Sequence, residues 1–236
     1  MISIVTGTLD RLEFLSDLIK NTVYKNDKLE LVIVDGGSTD GTINFIKNLN
    51  NPNIKLVEVG QRSSYPHFMN LGIQNSKYEW ICQWNDDVLL CNDWDDVINE
   101  IEDGYDFYLF NWKYGNKNQV NNSEWLKGED HNEGWCILDA SESGNEIVMN
   151  YGIYNKKIFR EIGLYNPSYT YYFADSDMSH RTHFFGYKHK TLKNIKVCSL
   201  ITEKKAFHVV NDENLYSEMI DKYKNKQLPN NLEFLK

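Results

Sequence analysis

The chain has 236 residues, 41% of them hydrophobic, enough to bury a sizeable core in one domain. Its formal net charge of -9 argues against binding to a nucleic-acid phosphate backbone, which needs clustered Lys and Arg, so no nucleic-acid partner is expected. The cysteines Cys82, Cys91, Cys136 and Cys198 form no Cys-x-x-Cys pair, which argues against a zinc site or a disulfide framework and fits reduced thiols in a cytoplasm. No apolar run is long enough for a bilayer, and the strand-like Ile2-Ser3-Ile4-Val5 follows Met1 directly. Neither a membrane span nor a signal peptide is expected, while peripheral membrane contact stays open.

In chain order, Ile2 to Val5 reads as a strand, Thr6-Gly7-Thr8 as a tight loop, and Phe14, Leu15, Leu18 and Ile19 as one face of a helix. Leu29 to Val34 is a second strand, and Asp35 to Thr42 a glycine-rich turn. Asp40 is the natural N-cap for a helix through Ile43, Ile46 and Leu49. A third strand spans about Ile54 to Val59, a helix covers about Pro66 to Asn75, and Glu79 to Trp84 is a short buried strand. Strand-helix units in succession with short connections specify a mostly parallel, Rossmann-like sheet flanked by helices.

Trp94, Val97, Ile98 and Ile101 mark an amphipathic helix, and Phe107 to Trp112 another strand. Lys113 to Gly134 is polar and aperiodic, a candidate functional flap. Trp112 and Trp135 flank it and could stack on a sugar face, although core packing is the plainer reading. A strand near Ile147 to Tyr154 and a helix near Lys156 to Ile162 follow. After an aromatic-rich turn, Asp175-Ser176-Asp177 opens a helix that ends before Gly186; Leu215, Met219 and Tyr223 mark a closing helix or bland surface. The expected division is residues 1–111 for a regular α/β half, 112–210 for a more irregular half, and 211–236 for a closing helix or tail, all in one domain.

The buried strand at Glu79 to Trp84 runs straight into Asn85-Asp86-Asp87. In open α/β sheets ligands sit outside the carboxyl ends of the strands, and carboxylates crowded there repel unless they share a cation. Oxygen-only ligands favour Mg²⁺ or Mn²⁺, ions that keep coordination sites for a substrate's phosphates. Asp86 and Asp87 therefore read as half of a metal site awaiting a diphosphate; the alternative is a polar turn that caps the next helix. Asp35 ends its strand where its carboxylate can accept bonds from a base or a ribose, with Gly36 and Gly37 clearing the approach, although a plain glycine turn is physically sufficient. Gly-x-x-x-x-Gly-Lys and Gly-x-Gly-x-x-Gly are both absent, which sets the chain apart from triphosphate-cradling enzymes and dehydrogenases.

Ser3-Ile4-Val5-Thr6, Val32 to Thr42, Met69-Asn70-Leu71-Gly72-Ile73 and Asn85-Asp86-Asp87, in this order, resemble family 2 glycosyltransferases of the GT-A fold. Ile158 to Asn166 and Asp175 to Arg181 extend the likeness toward Gly186. The resemblance implies that Thr6 and Asp35 contact the base and ribose of a nucleoside diphosphate sugar, a UDP-sugar first among them, with Asn70 lining the same pocket. It also implies Asp87 as metal ligand, Asp86 as ribose or diphosphate neighbour, Asp175 as the base that deprotonates the acceptor, and His208 as a metal-binding imidazole. Three positions depart from the pattern: Asn85 replaces the first acid of Asp-x-Asp, Gly36 the second acid after the strand, and Ala174 the acid before the base. Losing the neighbouring charge at Ala174 should ease ionisation of Asp175. Asp177 and Arg181 read as a helix-stabilising pair at i, i+4.

The activity so implied is inverting, metal-assisted hexosyl or deoxyhexosyl transfer to a hydroxyl of a carbohydrate or glycoconjugate acceptor. Its competitors are a nucleotidyltransferase, disfavoured by the single basic residue in Thr6-Gly7-Thr8-Leu9-Asp10-Arg11, and a catalytically silent nucleotide-sugar-binding protein.

Overall fold

A strand covered on both faces needs apolar side chains at consecutive positions, and Leu29–Asp35 (β2) is buried at every one. The computed structural model describes residues 1–127, 151–170, 172–201 and 212–236. Around β2 the first half is regular: β1 (Ile2–Thr8), α1 (Leu12–Asn21), α2 (Thr42–Asn48), β3 (Ile54–Glu58), α3 (Tyr65–Asn75) and β4 (Trp80–Gln83). Then come β5 (Val88–Leu90), α4 (Trp94–Asn99), β6 (Phe107–Gly115), a 3₁₀ turn at Lys117–Gln119, β7 (Gly152–Asn155), α5 (Lys156–Glu161), α6 (Ala174–Phe184), β8 (His189–Leu200) and α7 (Glu213–Lys224).

Among the described residues the strands form one eight-stranded sheet in the order β3-β2-β1-β4-β7-β6-β8-β5. β7 and β5 run against the rest, so the sheet is mixed; the parallel reading holds without exception only from β3 to β4. Alternate side chains divide between two cores, as the period of a strand requires. Ile2, Ile4, Leu31, Ile33, Tyr108 and Phe110 pack on one face, while Val5, Val32, Phe107 and Leu109 pack on the other. Gly72 lets α3 press onto β1: a Cβ there would stand 2.1 Å from Val5 Cγ1.

Several expectations shift. β5 and β8 carry no clean apolar alternation in sequence, and β6 continues through Lys113 to Gly115, so the flap expected from Lys113 begins as sheet. Val120 and Trp125 then pack with Leu89, Cys198 and Phe14, which makes residues 116–127 a buttress; the rest of the flap, Trp135 and the start of the strand expected at Ile147 lie outside the described residues. Trp112 is buried against Tyr114 and Tyr151, the plainer of its two readings. Gly41, in the left-handed region at φ 96°, precedes α2, yet Asp40 Oδ1 still accepts from Thr42 N at 3.0 Å, and its Oδ2 accepts from Leu12 N. Among the described residues no helix is long and apolar enough to cross a membrane.

Candidate active site

The carboxyl ends of β1, β2 and β4 lie side by side, with Thr8 of β1 opposite Asp35 of β2 and Trp84 N bonded to Val5 O. Beyond β4 the turn at residues 85–87 is closed at its base. The buried Trp84 donates its indole N–H to Val88 O at 2.9 Å and packs on Trp94, Phe110 and Tyr151. Leu200 N also donates to Asp87 O at 2.8 Å, tying the turn to β8.

Asp86 points inward, accepting from Thr8 Oγ1 at 2.8 Å. Arg11, above the Phe14 ring, holds both acids: Nη2 donates to Asp87 Oδ2 at 2.7 Å and Nε stands 3.4 Å from Asp86 Oδ1. Burial pushes the Asp86 carboxyl up to about 7; the Arg11 charge opposes the shift, the Asp87 charge adds to it, and the Thr8 hydroxyl opposes it. Thr8 and Arg11 are the residues that the sequence reading missed. Their signal was available: β1 neighbours β4 in such a sheet, so the one basic residue of the β1 loop lies beside the acidic turn.

Asp35 accepts from Gly37 N and Ser38 N, both at 2.8 Å, through Oδ1, while Oδ2 is buried without a hydrogen-bond partner. An orphaned buried acceptor carries a desolvation cost that a ligand donor would relieve. Gly36 and Gly37 make room for packing: a Cβ on Gly36 would meet the Phe68 ring at 3.0 Å, and one on Gly37 the Gly60 backbone at 2.8 Å. Thr6 is buried within β1, its hydroxyl 3.4 Å from Gly7 O. Asn70 lies elsewhere in its chemistry: its amide donates to Tyr165 O and accepts from Tyr165 N, both at 2.9 Å, which joins α3 to the segment after α5.

Asp175 lies in the first turn of α6 and accepts from Ser176 N at 2.9 Å. Burial pushes its carboxyl up to about 6, and Ala174 adds no neighbouring charge to that shift. Burial pushes up the phenols of Tyr65, Tyr151, Tyr154 and Tyr165, and the Asp175 charge adds to each shift. Tyr151 is bonded to Ser199 Oγ at 3.1 Å. Asp177 and Arg181 are not a surface pair. Both are fully buried and 4.0 Å apart; Asp177 accepts from Tyr169 and Tyr223, and Arg181 donates to Ile162 O and Leu164 O.

Among the described residues no three His, Cys, Asp or Glu side chains gather as a metal cluster, and His208 lies outside those residues. The donor set at the turn still fits a hard cation. One guanidinium faces two carboxylates, and an ion of the Mg²⁺ class needs only one or two carboxylates when a substrate's phosphates complete its shell.

The sequence matches Glycosyl transferase family 2 over residues 3–174, a span that ends one residue before Asp175. No curated protein matches it. Among solved structures, S. aureus TarS 1-349 in complex with UDP-GlcNAc superposes with a TM-score of 0.69 at 16% identity, covering 98% of this chain and 68% of that one. TarS 1-349 with UDP gives 0.62 at 12%, covering 95% and 71%. The mannosyltransferase PcManGT from Pyrobaculum calidifontis, in complex with GDP-Man and Mn²⁺, gives 0.62 at 16%; the match covers 86% of this chain but spans only 58% of that enzyme. With its mixed sheet, flanking helices and a family match over most of its length, the chain belongs to glycosyl transferase family 2 and is a glycosyltransferase of the GT-A fold.

Proposed function

We propose that the chain transfers a sugar, with inversion, from a nucleoside diphosphate sugar to a hydroxyl of a carbohydrate or glycoconjugate acceptor. The observation that carries this reading is the acidic turn of Asp86 and Asp87 at the carboxyl end of β4, bonded to Thr8 of β1, with the unpartnered Asp35 Oδ2 at the end of β2 on the other side of β1. The acceptor oxygen attacks the anomeric carbon from the face opposite the nucleotide. As that bond forms, the bond to the phosphate oxygen breaks, Asp175 takes the hydroxyl proton, and the nucleoside diphosphate leaves. A carboxylate pushed up to about 6 is a stronger base than an ordinary one and is still ionised at neutral pH.

Asp35 Oδ2 supplies the acceptor for a base N–H or a ribose hydroxyl, with Thr6 and Thr8 in the strand beside it. Asn70, whose amide is occupied by the Tyr165 backbone, acts through that join and not as a donor contact. Asp87, with Asp86 beside it, would hold a divalent ion, Mn²⁺ or Mg²⁺, which supplies Lewis-acid neutralisation of the phosphate oxygens. The similar structures were solved with UDP, UDP-GlcNAc and GDP-Man, and a UDP-sugar is the first donor to try.

A thermal-shift screen of nucleoside diphosphate sugars with and without Mn²⁺ tests the reading. At a ligand concentration of 100 Kd a true donor should add about 2.7 kcal/mol of apparent stability. No shift across the panel contradicts it. Arg11 seated on Asp87 favours a second reading, a nucleotide-sugar binder without turnover. Release of nucleoside diphosphate from a stabilising donor, lost in Asp87→Ala, decides for the enzyme.

A further inference from the structure

Two residues before Asp175, the backbone is strained. Phe173 has a φ of 65° and ψ of -2°, a left-handed conformation that a bulky side chain rarely adopts, and no side-chain hydrogen bond caps the helix there. Such a conformation costs on the order of 1–3 kcal/mol and persists only where its surroundings over-determine it. It also sets the direction in which α6 leaves the turn, and so where the Asp175 carboxylate points.

What over-determines it is α7. The Phe173 ring stacks on Tyr216, centroids 4.9 Å apart and planes 22° from parallel. The Tyr216 hydroxyl lies 2.9 Å from His180 Nδ1, and the same nitrogen is 3.0 Å from Ser176 O, one turn further back on α6. About two helical turns beyond Tyr216, Tyr223 donates its hydroxyl to Asp177 Oδ1 at 2.7 Å, next to the 3.0 Å bond from Tyr169. At the start of α7, Asp212 accepts from Thr170 N at 3.0 Å, which fixes the segment leading into Phe173. Met219 and Tyr223 are buried in the same core as Ala174 and Met178.

We infer that Tyr216 and Tyr223 of α7 are positioning residues for Asp175: they hold Phe173 in its strained conformation and fix the first turns of α6. The inference rests on Asp175 being the base. Contacts of this kind matter catalytically because misplacing a reacting group by about 1 Å can cost on the order of 10²-fold in rate.

The test measures nucleoside diphosphate release from UDP-N-acetylglucosamine and GDP-mannose, with water as acceptor, alongside calorimetric binding of UDP and GDP in Mn²⁺. Tyr216→Ala, which removes both stack and hydroxyl, should lower kcat by about 10–10²-fold with nucleotide affinity and KM within about twofold. Tyr216→Phe, which keeps the stack, should restore most of the rate; Tyr223→Phe, which keeps the packing but leaves Asp177 with one phenol fewer, should fall between. Hydrogen exchange across residues 174–178 should rise in Tyr216→Ala and not in Tyr216→Phe. Full kcat in Tyr216→Ala, or loss of nucleotide affinity in step with rate, overturns the inference. Asp175→Asn is the control: if it keeps full release, or if the unsubstituted chain releases nothing, the reading of Asp175 fails and the inference with it. If Asp175→Asn is inactive while Tyr216→Ala is not, only the positioning role fails.

Discussion

Asp86 and Asp87 sit on a turn closed within a few residues by the Trp84 indole and the sheet, whereas Asp175 sits on a helix whose start is strained and held by tyrosines from α7. The turn is thus held by strand ends of the sheet, from β1, β4 and β8. The start of α6 is held instead by one later helix, through bonds that span 36 to 46 positions of the chain.

The largest effects should come from the acids themselves. Asp175→Ala should cost about 10²–10⁴-fold in turnover, the usual worth of a general base, read as nucleoside diphosphate release. Next, Trp84→Ala should destabilise the chain by about 3–5 kcal/mol in denaturant melts and weaken nucleotide binding by loosening the turn. If it spares nucleotide binding, the turn is not what holds the nucleotide. Gly72→Ala, whose new Cβ would stand 2.1 Å from Val5 Cγ1, should cost about 1–3 kcal/mol by pushing α3 off β1. The smallest effect is expected from Arg160→Ala, which breaks an exposed pair with Glu79 at 2.9 Å and should change stability by less than about 1 kcal/mol.

The pH dependence sharpens the comparison from the side of α6. The Asp175 carboxyl lies at about 6 against an ordinary value of 3.8, so the native state holds this proton more tightly than the unfolded chain does. Its contribution to stability is full below pH 3.8 and is lost as pH rises through about 6. Asp175→Asn should flatten that part of the stability curve. Turnover should show the opposite sense and fall as pH drops below about 6, because the base must be ionised to accept a proton.

Much of the first half was legible because its signals are local. Unbroken apolar runs gave β2 and β4, and the polar break at Asn85 gave the turn. The second half was harder for physical reasons. β8 pairs with β6 through a register shift between Phe110 and Asn111, so its buried positions do not alternate cleanly. Asp177 and Arg181 carry the spacing of a surface ion pair, and only the tertiary contacts of Tyr169 and Tyr223 show them to be buried. Asn70 has the position of a pocket residue, but its amide bonds to the Tyr165 backbone, a partner 95 positions away that no motif announces.

The central proposal is that Asp87 serves the nucleotide and Asp175 the acceptor proton. Titrating UDP in Mn²⁺ by calorimetry into Asp87→Ala and Asp175→Ala tests it most directly. The account predicts that Asp87→Ala loses the Mn²⁺-dependent part of the affinity while Asp175→Ala binds as the unsubstituted chain does. Equal loss in both, or no loss in Asp87→Ala, would contradict it.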